Sequence, residues 1–339
     1  VTRLPRPLTA AIAALAAAAA LASCGEKKDT ISAPRLQPLS VMLDWTANAD
    51  HAPLYAAQAQ GYFKQAGLDV TIRPAPDPTV PLRALQAGKV DLVISYEPEL
   101  LLARDKGADL VSVGALVQKP LTSIMSLASK NIRRPAQLDG KTVGTAGIPY
   151  QSAYLRTIAD HAGVDPKRVR EVDVGFNLVP AMLSGRVDAT LGAFWNYEAV
   201  QLAREGKRVN VIRMDRAGVP TYDELIFVAR AQDLRGQGGE RVRRFLLAVS
   251  RGAAAVRKNP RAGVAPLVGA NRGLDTGLQL AALRAMRNVF FPADGSRPFG
   301  WQDPRQWAAY SRWMLRNHLV RRAPSPASLT NEFVPGEGL

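Results

Sequence analysis

The chain has 339 residues, 47% hydrophobic and 22% charged, which is enough for two compact lobes and confines any disorder to the ends. The formal charge is +15, but the arginines are scattered, and no basic stripe interleaves with stacking aromatics; this argues against nucleic acid and for a solvated basic face near anionic lipid. With one cysteine and three histidines (His51, His161, His318) lacking HExxH spacing, neither an intrachain disulfide nor a metal site is expected.

Residues 1–23 read as a secretory signal: Arg3 and Arg6 precede the Ala/Leu run TAAIAALAAAAALAS, too short and Ala-rich for a membrane span. Without them the charge is +13. Leu21-Ala22-Ser23-Cys24 resembles the bacterial lipoprotein cleavage box, in which the cysteine is lipidated and tethers the domain to a membrane; the alternative is a spare thiol in a cleaved leader. Residues 24–38 are polar and Pro-containing, suited to a flexible tether.

From residue 40 short apolar runs alternate with amphipathic segments, the pattern of an α/β fold. SVMLDW is a predicted strand, HAPLYAAQAQGYFKQAG a helix closed by Gly67, and LDVTIRPA a strand. VPLRALQAG is a helix stopped by Gly88, and VDLVIS a strand. Strands follow at LVSVGALV, TSIMSLA, KTVGTA and DELIFVA, with helices at 149–162, 177–184, 240–258 and 275–289. The last helix starts at Asp303-Pro304, a capping residue before a proline in the first turn. Trp307, Tyr310 and Met314 share one face of it and belong in the core.

AGKVDLVISYEPE (87–99) and SGRVDATLGAFWNYE (184–198) repeat one order: small residue, Gly, base, Val-Asp, apolar run, aromatic, Glu. Two such strand exits suggest two lobes facing across a cleft, since ligands of open α/β sheets lie beyond the strands' carboxyl ends. If TSIMSLA and DELIFVA are crossover strands, the chain leaves the first lobe near 126 and returns near 226. Lobe one is then 39–126 with 226–322, lobe two 127–225, and 323–339 a C-terminal tail.

Candidate ligand-binding groups cluster at the exits. Trp45 offers a flat indole face where a strand gives way to a loop; Asn48 and Asp50 suit a turn and helix cap as well as ligand contact; His51 can cap the helix or reach the cleft. GAFWNYEAV brings Phe194, Trp195, Tyr197 and Glu198 to a strand exit, an aromatic face with an acceptor for ring amino groups, although at least one ring should pack in the core. Gly144 and Gly147 precede a helix start whose N–H groups can hold a polar atom, or form a plain turn. Asp223, in PTYDEL, lines the cleft or secures the hinge. The Gly-Lys-Ser/Thr phosphate loop, GxGxxG and GxSxG are missing, so nucleotide and hydrolase chemistry lack support.

LDWTANADHAPLYAAQAQGYFKQAGLDV resembles the opening motif of substrate-binding proteins for thiamine pyrimidine precursors, and VDLVISYEPE, GAFWNYEAV and PTYDELIFVA are similar to that family's later motifs. The resemblance implies a two-lobed periplasmic-binding-protein type II fold with a hinge of two crossover strands. It also implies a monomeric receptor, without cofactor or catalytic residues, that passes a small aromatic solute to an ABC permease and its ATPase. Trp45, Asn48, His51, Tyr55, Tyr96, Trp195, Tyr197 and Glu198 match motif positions and become binding candidates, with Gly147 and Asp223 added from the residues themselves. Ala47, Pro53 and Ala199 depart from the pattern, which leaves the ligand open to alternatives such as riboflavin or an alkanesulfonate. The superfamily also includes a pyrimidine synthase that consumes its own histidine and needs iron; His51 resembles that position, but the synthase's cysteine-rich motif is missing.

Overall fold

A computed structural model describes residues 36–290 and 297–336. The predicted signal peptide, Cys24 and most of the tether lie outside the described residues. Among the described residues no helix is long and apolar enough to cross a membrane.

The first half opens with β1 (Gln37–Met42), then a 3-10 turn, α1 (Ala52–Ala59) and α2 (Tyr62–Gln65). The single helix expected over 51–67 is therefore two. Gly61 adopts φ 69°, a left-handed backbone that ends α1 and starts α2 at a new angle. There follow β2 (Leu68–Arg73), α3 (Val80–Gln86), β3 (Leu92–Ser95), α4 (Glu97–Asp105) and β4 (Leu110–Val117). The second half contains β5 (Thr122–Leu127), β6 (Thr142–Thr145), α5 (Pro149–His161), β7 (Arg170–Asp173), α6 (Leu178–Leu183), β8 (Ala189–Phe194), α7 (Glu198–Arg204) and β9 (Val209–Arg213). Then come β10 (Leu225–Arg230) and four helices, α8 (Gln237–Lys258), α9 (Pro260–Ala270), α10 (Thr276–Phe290) and α11 (Pro304–Arg316).

The strands form two five-stranded sheets, β2-β1-β3-β10-β4 and β7-β6-β8-β5-β9. In each, one strand from the far side of the chain inserts antiparallel between its neighbours: Phe227 of β10 lies opposite Ile94 and Gly114, and Ile124 of β5 opposite Leu191 and Ile212. The sequence explains the placement. β3 and β10 are nearly unbroken apolar runs, buried on both faces as central strands must be, whereas edge strand β2 alternates buried with exposed residues.

The chain crosses between sheets twice, but the passages are the short segments leading into β5 and β10. Residues 122–126, expected in the first lobe, pair only with β8 and β9 of the second sheet. The carboxylate of Glu224 ties the passages together. It accepts from the N–H groups of Leu121 (2.6 Å) and Thr122 (2.8 Å), the Thr122 hydroxyl (2.8 Å) and the Tyr222 hydroxyl (3.1 Å). The C-terminal segment is part of the first half's packing: Leu329 bridges Ser112 of β4, and Phe333 and Val334 are buried.

Candidate functional site

β1 ends at Met42, and the chain turns through Asp44 and Trp45 into the 3-10 turn Ala49–His51. Asn48 caps this turn, its Oδ1 accepting from the Asp50 N–H at 2.9 Å. The Asn48 N–H donates to His51 Nδ1 at 3.1 Å, so the ring proton of a neutral His51 sits on Nε2, which donates to Asp44 Oδ1 at 2.9 Å. The Tyr96 hydroxyl donates to the other oxygen, Asp44 Oδ2, at 2.8 Å. Both ring nitrogens of His51 are thus committed and the side chain is fully buried. It orients Asp44 and has no free lone pair with which to act as a base.

Asp44 forms one wall of an enclosed cavity of about 20 Å³ between the halves. Trp45, Asn48 and Tyr96 line it from the first half, and Tyr150, Gly192, Phe194, Tyr197 and Glu198 from the second. That volume holds about one water, so a flat ring enters only if the halves part or the aromatic walls turn. Trp45 reaches across the divide and meets Phe176 edge-on at 4.6 Å between centroids. Gly192 contributes a wall without a side chain. Its φ is 123°, and a Cβ there would stand 2.6 Å from Gln151 Nε2.

Glu198 opens α7, where its Oε2 accepts from the Phe194 N–H at 2.7 Å. Burial nonetheless pushes its pKa up to about 7, partly offset by backbone hydrogen bonds and reinforced by the nearby charges of Asp50 and Asp44. Glu198 therefore switches between acceptor and donor near neutrality. No lysine or arginine stands among the described lining residues.

The other predicted residues lie elsewhere. Tyr55 is buried on α1, beside Asn271. Trp195 turns away from the cavity: its indole N–H donates to the Pro120 carbonyl at 2.9 Å, and the Arg213 guanidinium lies over its ring at 4.0 Å. The strand exit expected in GAFWNYEAV falls at Phe194, and the turn that follows sends Trp195 to the inter-sheet passage and Tyr197 to the cavity. Gly147 borders a separate open groove of about 760 Å³ with Arg83, Glu99, Lys106 and Arg230. Asp223 secures the crossing. Its carboxylate accepts from the Trp307 indole (2.7 Å) and the Gln306 amide (3.1 Å), its N–H donates to Glu97 (2.8 Å), and burial pushes its pKa up to about 7.

Phe194, named from the sequence with the other exit aromatics, does line the cavity, whereas Asp44, Tyr150 and Gly192 were not singled out as ligand contacts. Asp44 sits in the quoted motif, and its position seven residues before His51 carried no signal without the turn that folds one onto the other. Among the described residues no three His, Cys, Asp or Glu side chains group as a metal site requires.

Residues 48–263 match the family model described as NMT1/THI5 like. The chain belongs to the NMT1/THI5-like family. It is 35% identical to the formylaminopyrimidine-binding protein of Halalkalibacterium halodurans over 87% of this chain and 89% of that one. It is 40% identical to a putative thiamine biosynthesis protein of Haemophilus influenzae over 57% of this chain and 62% of the relative. More distant family members include a 4-amino-5-hydroxymethyl-2-methylpyrimidine phosphate synthase of Saccharomyces cerevisiae, 26% identical over 63% of this chain and 65% of the relative. Among solved structures, the periplasmic aliphatic sulphonate binding protein of Escherichia coli aligns with TM-score 0.64 at 17% identity, covering 85% of this chain and 95% of that one. The periplasmic nitrate-binding protein of Synechocystis aligns with TM-score 0.64 at 14% identity, covering 89% and 88%. These likenesses establish the type II periplasmic-binding-protein fold expected from the sequence.

Proposed function

We propose that this NMT1/THI5-like protein is the non-enzymatic solute receptor of an ABC importer, holding a thiamine pyrimidine precursor between its halves and delivering it to the permease. The observation that carries the reading is the cavity's chemistry. Aromatic rings from both halves, two carboxylates and an asparagine enclose it, with no basic side chain among the described walls. A 4-aminopyrimidine presents a ring nitrogen beside an exocyclic amino group. A neutral Glu198 complements that edge with one O–H donor and one carbonyl acceptor, and Asp44 or Asn48 accepts any further N–H. A sulfonate, by contrast, needs cationic or N–H-rich walls, and these walls carry two carboxyl side chains and no lysine or arginine among the described lining residues. The committed nitrogens of His51 favour holding over reacting, which separates this reading from that of the synthase relative.

The similarity to a formylaminopyrimidine-binding protein supports the ligand class, and the leader with Cys24 supports export and a lipid anchor. Ligand binding stabilises the joined halves by its differential affinity for them, the state a permease reads. Calorimetry with formylaminopyrimidine, hydroxymethylpyrimidine, riboflavin and an alkanesulfonate tests the proposal, with fatty-acid labelling of the native protein and Cys24→Ser in parallel. The expected result is binding of the pyrimidines alone and a label that disappears with Cys24. Preference for riboflavin or the sulfonate, or turnover of any ligand, overturns the reading.

A further inference from the structure

Behind the cavity the halves meet in a second contact. Asp50, in the turn of the first half, and Asn196, in the turn after β8, are both buried. Asn196 Nδ2 donates one hydrogen to Asp50 Oδ1 at 2.7 Å and the other to Met286 Sδ on α10 at 3.1 Å. That uses every donor of the pair. Asp50 Oδ2 and Asn196 Oδ1, both buried, have no partner. Two unmet acceptors on two side chains that already touch are costly.

A single proton removes both defects. Placed on Asp50 Oδ2, it supplies an O–H for Asn196 Oδ1 while Asn196 Nδ2 keeps its bond to Asp50 Oδ1, giving the two-bond ring that a carboxylic acid makes with a primary amide. We propose that Asp50 is a protonated positioning residue: as a neutral acid it pairs with Asn196, fixes Asn48 and Tyr197 beside it, and makes the joining of the halves take up a proton.

The surroundings agree. Burial raises the Asp50 pKa to about 6, with Asp44 adding to the rise and His51 and the Asn196 hydrogen bond opposing it. Across the contact, Tyr197 and Glu198 are the titratable groups that feel its charge. Of the helices packed against the turn, α1 offers only the phenol of Tyr55; Arg261 of α9 and Arg284 and Arg287 of α10 are exposed. Apart from the His51 imidazole, no described basic side chain is buried against Asp50 to hold it ionised.

The test compares the full-length wild type with Asp50→Asn, Asp50→Ala and the exchange Asp50→Asn/Asn196→Asp, without ligand, so it stands apart from the proposed function. An acid held neutral in the fold lends stability that is complete below the unfolded pKa and lost as pH rises through the folded one. The wild-type melting midpoint should therefore fall, relative to Asp50→Asn, as pH climbs through about 6, because an amide–amide pair keeps both bonds without a proton. The exchange variant should regain the wild-type pH profile, and Asp50→Ala should melt lowest at pH 5. The infrared band of a neutral carboxylic acid should lose intensity at pH 5 in Asp50→Asn relative to wild type. Parallel pH profiles of wild type and Asp50→Asn, or an unchanged infrared band, overturn the proposal. If Asp50→Asn does not fold, the exchange variant decides it: a wild-type pH profile supports the pair, and its loss overturns it.

Discussion

The two halves fold by one recipe and diverge where the chain leaves the strands. Their sheets have the same strand order, and in each a helix, a glycine, a Val-Asp pair and a third strand follow in turn: α3, Gly88, Asp91 and β3 in the first half, α6, Gly185, Asp188 and β8 in the second. The repeated aspartates do the same work. Asp91 accepts from the N–H and hydroxyl of Ser40 in β1, both at 2.7 Å, and Asp188 accepts from the N–H of Thr142 in β6 at 3.0 Å. Each ties its sheet's third strand to the first. Beyond the strand the likeness ends. Glu97 opens α4 and turns to the inter-sheet passage, taking the Asp223 N–H, whereas Glu198 opens α7 and faces the cavity. The repeat carries the fold, and the departures from it carry the site.

The sharpest break in the symmetry lies behind β1, where Asp44 receives both the His51 imidazole and the Tyr96 hydroxyl. Asp44→Ala leaves two buried donors unmet, each costing about 1–3 kcal/mol, and should lower stability by about 3 kcal/mol in urea unfolding. Asp44→Asn, which keeps one acceptor, should lose about half as much. Equal losses would mean that the carboxylate does not organise this turn.

The paired glutamates separate function from fold more directly. Glu198, with a pKa of about 7, is neutral below and ionised above, so pyrimidine affinity should fall as pH rises through 7. Glu198→Gln presents a donor and an acceptor at every pH and should bind with a flat profile. Glu198→Ala should bind about 100-fold more weakly, or about 2.7 kcal/mol, at pH 6. Glu97→Gln should leave affinity and its pH profile alone, because Glu97 answers to Asp223. Calorimetric titrations from pH 5.5 to 8.5 distinguish these outcomes, and a response at Glu97 equal to that at Glu198 would undo the assignment of roles.

The sequence displayed the recipe more readily than the departures. Period and punctuation located β4 and α5 to within a residue, because an eight-residue apolar run and an amphipathic face report burial directly. The capping of α9 by Asn259 before Pro260 was legible by the rule used for Asp303-Pro304 and went unread. At the site, Trp45, Asn48, Tyr96, Tyr197 and Glu198 do surround one cavity. Trp195 could not be placed from pattern, since leaving the strand one residue earlier or later swaps the face that a ring occupies. Asp223 was equally opaque, because its partners Gln306 and Trp307 come from a helix more than eighty residues away.

The smallest effects test the recipe itself. If Asp91 and Asp188 are equivalent, Asp91→Ala and Asp188→Ala should each cost about 1 kcal/mol in urea unfolding, since each frees one strand N–H held by a partly exposed carboxylate, where water replaces much of the bond. Neither touches the cavity, so pyrimidine affinity should be unchanged in both. Asp188 also meets Lys130 Nζ at 2.7 Å, whereas the nearest Arg241 nitrogen is 3.9 Å from Asp91. Raising the salt concentration should therefore shrink the Asp188→Ala loss slightly more than the Asp91→Ala loss, by a few tenths of a kcal/mol at most for such exposed pairs. A loss several times larger in one half would show that its Val-Asp step carries something beyond the shared strand tie.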